Sequence, residues 1–286
     1  MQTFILTLRC QDGPGIIHAV SGALLDLGAN VLEQAQFTDE ESGLFAMRTR
    51  FEVESQGGAG QQAAAMHAAI AERAARFDPV IGVRAVDERR RALVMVSKYD
   101  HCLVDLLYRY EIGELPVDIP LVVSNHEDCR AIAERHGIPF VVLPVTAETK
   151  ADQERAVLAL VEEHDIDVIV LARYMQVLSD DLCSRLPGRI INIHHSFLPG
   201  FKGARPYHQA HARGVKLIGA TAHFVTADLD EGPIIEQGVQ RVDHADTPES
   251  LAEIGRDVER LVLARAVRLF AEDRIVLDGS RTIVFG

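Results

Sequence analysis

Apolar residues follow two different rhythms along this chain. Over residues 1–86, alternating stretches at 3–8, 31–37, 44–51 and 80–86 read as strands with one buried face. Two stretches, 16–27 and the alanine-rich 61–77, read as helices. Asp12-Gly13-Pro14-Gly15 opens the first helix, residues 39–43 turn the second strand into the third, and Gln56-Gly57-Gly58-Ala59-Gly60 is a flexible loop. The order βαββαβ predicts a ferredoxin-like domain.

From residue 92 the rhythm changes. Apolar runs at 92–97, 121–123, 140–143 and 168–171 alternate with helical stretches at 102–110, 127–136 and 150–164. That alternation predicts a doubly wound, mostly parallel α/β sheet covered by helices, with ligands at the carboxyl ends of its strands. A further strand at 190–194, a short helix at 205–213 and paired strands at 217–225 and 234–242 follow. The helix at 248–270 carries Leu251, Ile254, Val258, Leu261 and Val262 as one stripe, and a hairpin, 274–277 with 282–285, turns at Asp278-Gly279. Asp87-Glu88-Arg89-Arg90-Arg91 reads as a solvated hinge rather than an anion site. The expected division is therefore 1–86, a linker at 87–91, and 92–286, with no residues left for a further domain.

Composition narrows the setting. With 286 residues, 48% hydrophobic and 25% charged, the chain has room for two globular domains. A net charge of −13 opposes a nucleic-acid partner. The four cysteines, Cys10, Cys102, Cys129 and Cys183, form no C-x-x-C pair, which points to a reducing compartment and away from structural zinc. No signal peptide and no membrane-spanning run is apparent, so a cytoplasmic location is expected.

The candidate chemistry gathers where the apolar strand Ile190-Ile191-Asn192-Ile193-His194 turns polar, ahead of a Pro199-Gly200 break. Two residues apart on a strand, Asn192 and His194 point the same way and can polarise one carbonyl; capping of backbone groups at a strand end is the alternative. A second strand, Ala220-Thr221-Ala222-His223-Phe224-Val225, leads into an acidic turn in which Asp230 offers a carboxylate to a histidine.

Together, N-x-H-x-S-x-L-P and H-F-V-x-x-x-x-D-x-G-P-I-I resemble the folate-dependent formyltransferase family over about residues 92–286. The resemblance implies that Asn192, His194 and Asp230 are catalytic. It places a pterin slot at Tyr174, Met175, Gln176, Val177 and Leu178, in a loop running from Ala172-Arg173, with His223 supporting Asp230 or making a more remote contact and Val225 beside the folate; for Met175, core packing is the alternative. Lys202-Gly203 matches a family loop near the acceptor. The first half, with its Asp-Gly-Pro-Gly turn, resembles an ACT domain, which implies either a small amino-acid effector held by Asp12, Gly13, Gly15 and Asn30 or an assembly surface making a homo-oligomer.

The family differs in what accepts the formyl group of 10-formyltetrahydrofolate. Members acting on glycinamide ribonucleotide carry a G-x-G-S-N turn that holds a phosphate. Here the segment reads Ser97-Lys98-Tyr99-Asp100-His101-Cys102-Leu103-Val104-Asp105-Leu106-Leu107, without glycine and with Asp100 where a phosphate would sit. It is similar to S-K-x-x-H-C-L-x-D-L-L of the deformylase branch. That likeness implies hydrolysis by water to formate and tetrahydrofolate, supplying formate for purine synthesis, with the folate as substrate and neither cofactor nor metal. Transfer to an amine such as glycinamide ribonucleotide is the rival. Two further readings are a metal hydrolase using His194, His195, His208, His211 and His223, which lacks the H-E-x-x-H helix, and a folate sensor without activity.

Overall fold

The computed structural model describes residues 1–54, 57–196, 198 and 206–286. The chain divides into two compact units, Met1–Arg89 with Glu272–Asp278 and Thr282–Gly286, and Arg90–Ala271 with Gly279–Arg281.

The first unit runs β1 (Gln2–Gln11), α1 (Ile16–Asp26), β2 (Asn30–Thr38), β3 (Leu44–Val53), α2 (Ala59–Ala74), a 3₁₀ turn (Ala75–Phe77) and β4 (Val80–Ala85). Its four-stranded sheet has the order β2-β3-β1-β4, and β3 and β4 flank β1 antiparallel. Phe4, Leu6, Leu8, Met47, Phe51 and Ile70 form its core, with the Phe4 and Phe51 rings stacked at 5.9 Å. The expected element order is observed. Residues 272–278 and 282–286, expected with the second unit, cluster with this one. Charge explains it: Arg84 pairs with Asp273 at 2.6 Å, Glu33 with Arg274 at 3.1 Å, and Arg48 donates to the Glu272 carbonyl at 2.9 Å.

The second unit contains β5 (Arg90–Val96), α3 (His101–Glu111), β6 (Val117–Ser124), α4 (Arg130–Arg135), β7 (Phe140–Val142), α5 (Lys150–Glu163), β8 (Val168–Leu171) and α6 (Asp180–Arg185). It continues with β9 (Ile190–His194), α7 (Pro206–Arg213), β10 (Leu217–Phe224), β11 (Ile234–Arg241) and α8 (Pro248–Ala271). The terminal hairpin, β12 (Ile275–Asp278) and β13 (Arg281–Val284), belongs mostly to the first unit. The seven-stranded sheet has the order β11-β10-β9-β8-β5-β6-β7. Pairs among β5 to β9 are parallel, whereas β10 runs antiparallel to both β9 and β11. Strands covered on both faces are apolar at nearly every position. Leu93, Met95, Val123, Ile169 and Ile190 accordingly lie in the core.

Three details depart from expectation. Arg90 and Arg91 are strand residues rather than hinge: Arg90 pairs with Asp167 at 3.1 Å, and Arg91 donates to the His164 carbonyl at 2.6 Å. The helix expected from 127 begins at Arg130. α6 was not anticipated, although Ser179 caps it by accepting from the Leu182 N–H. Gln56, Pro199-Gly200 and Arg205 lie outside the described residues.

Chain order places the site. β6 lies on one side of β5 and β8 on the other, so their outgoing loops part at a topological switch point. There the Ser97 hydroxyl donates to Asn125 Oδ1 at 2.7 Å and accepts from the Met175 N–H at 3.0 Å. That hydroxyl ties the loop after β8 to the end of β5.

Candidate active site

β9 carries Asn192 and His194 on one face, as a strand period of two requires. The antiparallel register of β9 with β10 sets His223 directly opposite Asn192 and Thr221 opposite His194. Directly opposed side chains on one face are within reach of each other. The Asn192 amide nitrogen lies 3.2 Å from His223 Nε2. His223 Nδ1 lies 2.9 Å from the Phe224 carbonyl, which can only accept, so Nδ1 carries the proton and Nε2 accepts from Asn192. One amide N–H of Asn192 is thereby used, its plane is fixed, and the other N–H is left for a ligand.

Asp230 enters from the turn between β10 and β11. It holds φ +57°, a left-handed conformation that Asp tolerates better than most residues. Its Oδ1 lies 3.2 Å from His194 Nδ1 and 3.7 Å from His223 Nε2. The first contact is a hydrogen bond, and the second is too long for one. The bond from His194, then the neighbouring His223, hold the Asp230 carboxyl far below the usual carboxylate range. Asp230 therefore stays ionised at neutral pH and keeps the His194 proton on Nδ1. That leaves the lone pair on His194 Nε2, which is buried and has no hydrogen-bond partner among the described residues.

The turn tolerates little change. A Cβ on Gly232 would come within 1.8 Å of the Phe224 carbonyl oxygen. Gly232→Ala is expected to shift the turn, move Asp230 off His194 and cut turnover by about 10²-fold, the cost of misplacing a catalytic group by about 1 Å. Steady-state kinetics at unchanged helical content check it.

A cavity of about 260 Å³ opens onto this group. Tyr174, Met175, Gln176, Val177, Leu178, His223 and Val225, the residues proposed from sequence, all line it, together with Asn192, His194 and Asp230. Met175 and Val177 are half exposed, at 50% and 56%, which places them at the rim and rules out core packing for Met175. Tyr174 is buried, accepts from Gln153 through its hydroxyl at 3.1 Å, and has its pKa pushed up to about 12 by burial. It builds the wall from behind.

Sequence reasoning missed His195 and Arg173 as lining residues. The His195 ring stacks on His194 at 5.0 Å, and burial, with the Arg173 and His194 charges adding to it, lowers its pKa to about 4. It is a neutral wall at neutral pH. The adjacent His194-His195 pair in the sequence was the available signal. Lys202-Gly203 and Phe197 lie outside the described residues. Asp12, Gly13 and Gly15 sit at the turn between β1 and α1, where Gly15 has φ +97°, and Asn30 donates to Glu52 at 3.0 Å.

Among the described residues, one group has the spacing to hold a metal: His101, Cys102 and Glu259. It does not fit one. Both Glu259 oxygens already accept, from Tyr207 at 2.7 Å and His101 at 2.8 Å, and the Arg173 guanidinium stands 3.4 Å away. Burial, reinforced by Glu259, pushes the Cys102 thiol well up, away from the thiolate a metal needs. His208 and His211 sit on α7 outside this group. Among the described residues no helix is long and apolar enough to cross a membrane.

The formyl transferase family profile matches residues 90–267. The chain is 48% identical over 281 residues to formyltetrahydrofolate deformylase of Bacillus subtilis, covering 98% of this chain and 93% of that one. The crystal structure of formyltetrahydrofolate deformylase from Burkholderia mallei is similar along the full length of both chains, with 51% identity and a TM-score of 0.95. Glycinamide ribonucleotide transformylase 1 from Symbiobacterium toebii is 32% identical, covers 69% of this chain and 94% of its own, and has a TM-score of 0.65.

Proposed function

The chain belongs to the formyl transferase family, in its formyltetrahydrofolate deformylase branch, and we infer from that membership that it hydrolyses 10-formyltetrahydrofolate to formate and tetrahydrofolate. The observation that carries the chemistry is the Asn192, His194 and Asp230 group lining a cavity of about 260 Å³. The free N–H of Asn192 donates to the formyl oxygen as negative charge grows there. The lone pair on His194 Nε2 takes a proton from water as its oxygen attacks the formyl carbon. The C–N10 bond then breaks, His194 returns the proton to N10, and formate and tetrahydrofolate leave. Asp230 holds the His194 tautomer and balances the imidazolium. A carboxylate kept so strongly ionised is a weak base, which favours this role over removal of a proton from water.

The rim formed by Met175 and Val177, with Gln176, Leu178 and Val225 behind it, supplies an apolar slot for a flat pterin. The first unit is read as an ACT-like module that either assembles the protein into a homo-oligomer or binds a small amino acid at Asp12, Gly13, Gly15 and Asn30.

One experiment tests both parts. The protein is incubated with 10-formyltetrahydrofolate, with and without glycinamide ribonucleotide, and free formate is measured. Stoichiometric formate, unaffected by the ribonucleotide, is expected; a formylated ribonucleotide would reverse the choice of acceptor. The same assay run with each free amino acid decides the first unit, because no change in rate or in melting temperature removes the effector reading.

A further inference from the structure

Arg173 lines the same cavity as Asn192 and His194, yet the hydrolytic chemistry derived above makes no use of it. It holds φ +64°, a conformation unfavourable for a long side chain, at the start of the loop leaving β8. Its surroundings hold it there. The side chain is 10% exposed, its guanidinium lies 5.3 Å over the Tyr99 ring, and its Nε stands 3.4 Å from Glu259 Oε2. Glu259 is itself fixed by His101 and Tyr207, and Tyr207 presses so closely on α8 that a Cβ on Gly255 would meet its hydroxyl at 1.9 Å. Inside this frame Arg173 Nη1 is buried without a hydrogen-bond partner among the described residues. A buried guanidinium N–H needs an acceptor.

We propose that Arg173 is a specificity-determining residue that reserves the acceptor side of this cavity for water and turns amine nucleophiles away. The proposal rests on the deformylase reading and follows from counting lone pairs. A guanidinium offers N–H donors and no acceptor. Water has two lone pairs, so it accepts from Nη1 with one and attacks the formyl carbon with the other. A neutral amine has a single lone pair: if it accepts from Arg173 it cannot attack. A protonated amine is repelled outright. Were an amine admitted, a new C–N bond would form, the C–N10 bond would break, and the amine proton would pass to N10, giving a formamide in place of formate.

The test is a product ratio. Native protein, Arg173→Gly and Arg173→Asn are incubated with 10-formyltetrahydrofolate labelled at the formyl carbon, together with hydroxylamine or glycinamide as the amine. Formylated amine and formate are then quantified. Gly and Asn both accept φ +64°, and Glu259 keeps His101 and Tyr207. Formate alone is expected from native protein. In both variants the ratio of formylated amine to formate is expected to rise about 10- to 100-fold, the factor that one hydrogen bond to a charged group is worth. A folded variant with an unchanged ratio overturns the proposal. So does failure of both variants to fold, which would make Arg173 a structural strut. Native protein that releases no formate instead overturns the deformylase reading.

Discussion

Asp230→Asn is expected to lower turnover by about 10³- to 10⁴-fold while leaving the fold intact. Asn is nearly the same size and accepts the left-handed φ of +57° at this position, so the turn need not move. What changes is the proton on His194. As a carboxylate, Asp230 can only accept, and at 3.2 Å it holds that proton on Nδ1. The amide introduced by the substitution can donate instead, which moves the proton to Nε2 and removes the lone pair meant for water. Charge balance for the imidazolium is lost as well. Formate release measured beside a thermal melt checks it, and near-native turnover would take Asp230 out of the mechanism.

Asn192→Ala is the second large effect, about 10²- to 10³-fold in kcat with KM little changed. The ground-state formyl oxygen is a weak acceptor, whereas the oxyanion is a strong one, so the free amide N–H matters most in the transition state. His223 lies opposite Asn192 and loses the amide that faces its Nε2 at 3.2 Å. A structural role alone would therefore appear as a lower melting temperature with kcat preserved. A fall confined to KM would show that Asn192 binds folate without stabilising charge.

These two residues differ in how they could be found. Asn192 and His194 were legible because strand alternation needs only near neighbours: an apolar run that turns polar with a period of two states its own geometry. The strands β5, β8 and β9 were legible for the same reason. Asp230 was legible as a motif, while its ionisation depends on two histidines that reach it from β9 and β10. His223 was expected to support Asp230 or to stand behind the site; the β9–β10 register sets it 3.2 Å from Asn192 and 3.7 Å from Asp230. Arg90 and Arg91 looked like a solvated hinge because their partners, Asp167 and the His164 carbonyl, are distant in sequence. α6 escaped notice although its cap, Ser179 before Asp180-Asp181, was written in the chain.

Local pattern thus settled the element order, the parallel sheet and the polar end of β9, because each follows from contacts between residues a few positions apart. Folding alone decided where Arg173 and Glu259 meet, which nitrogen of His194 keeps its proton, and how the residues after α8 join the first unit. Those outcomes turn on charges and hydrogen bonds between segments far apart in the chain, whose distances exist only once the strands have chosen their neighbours.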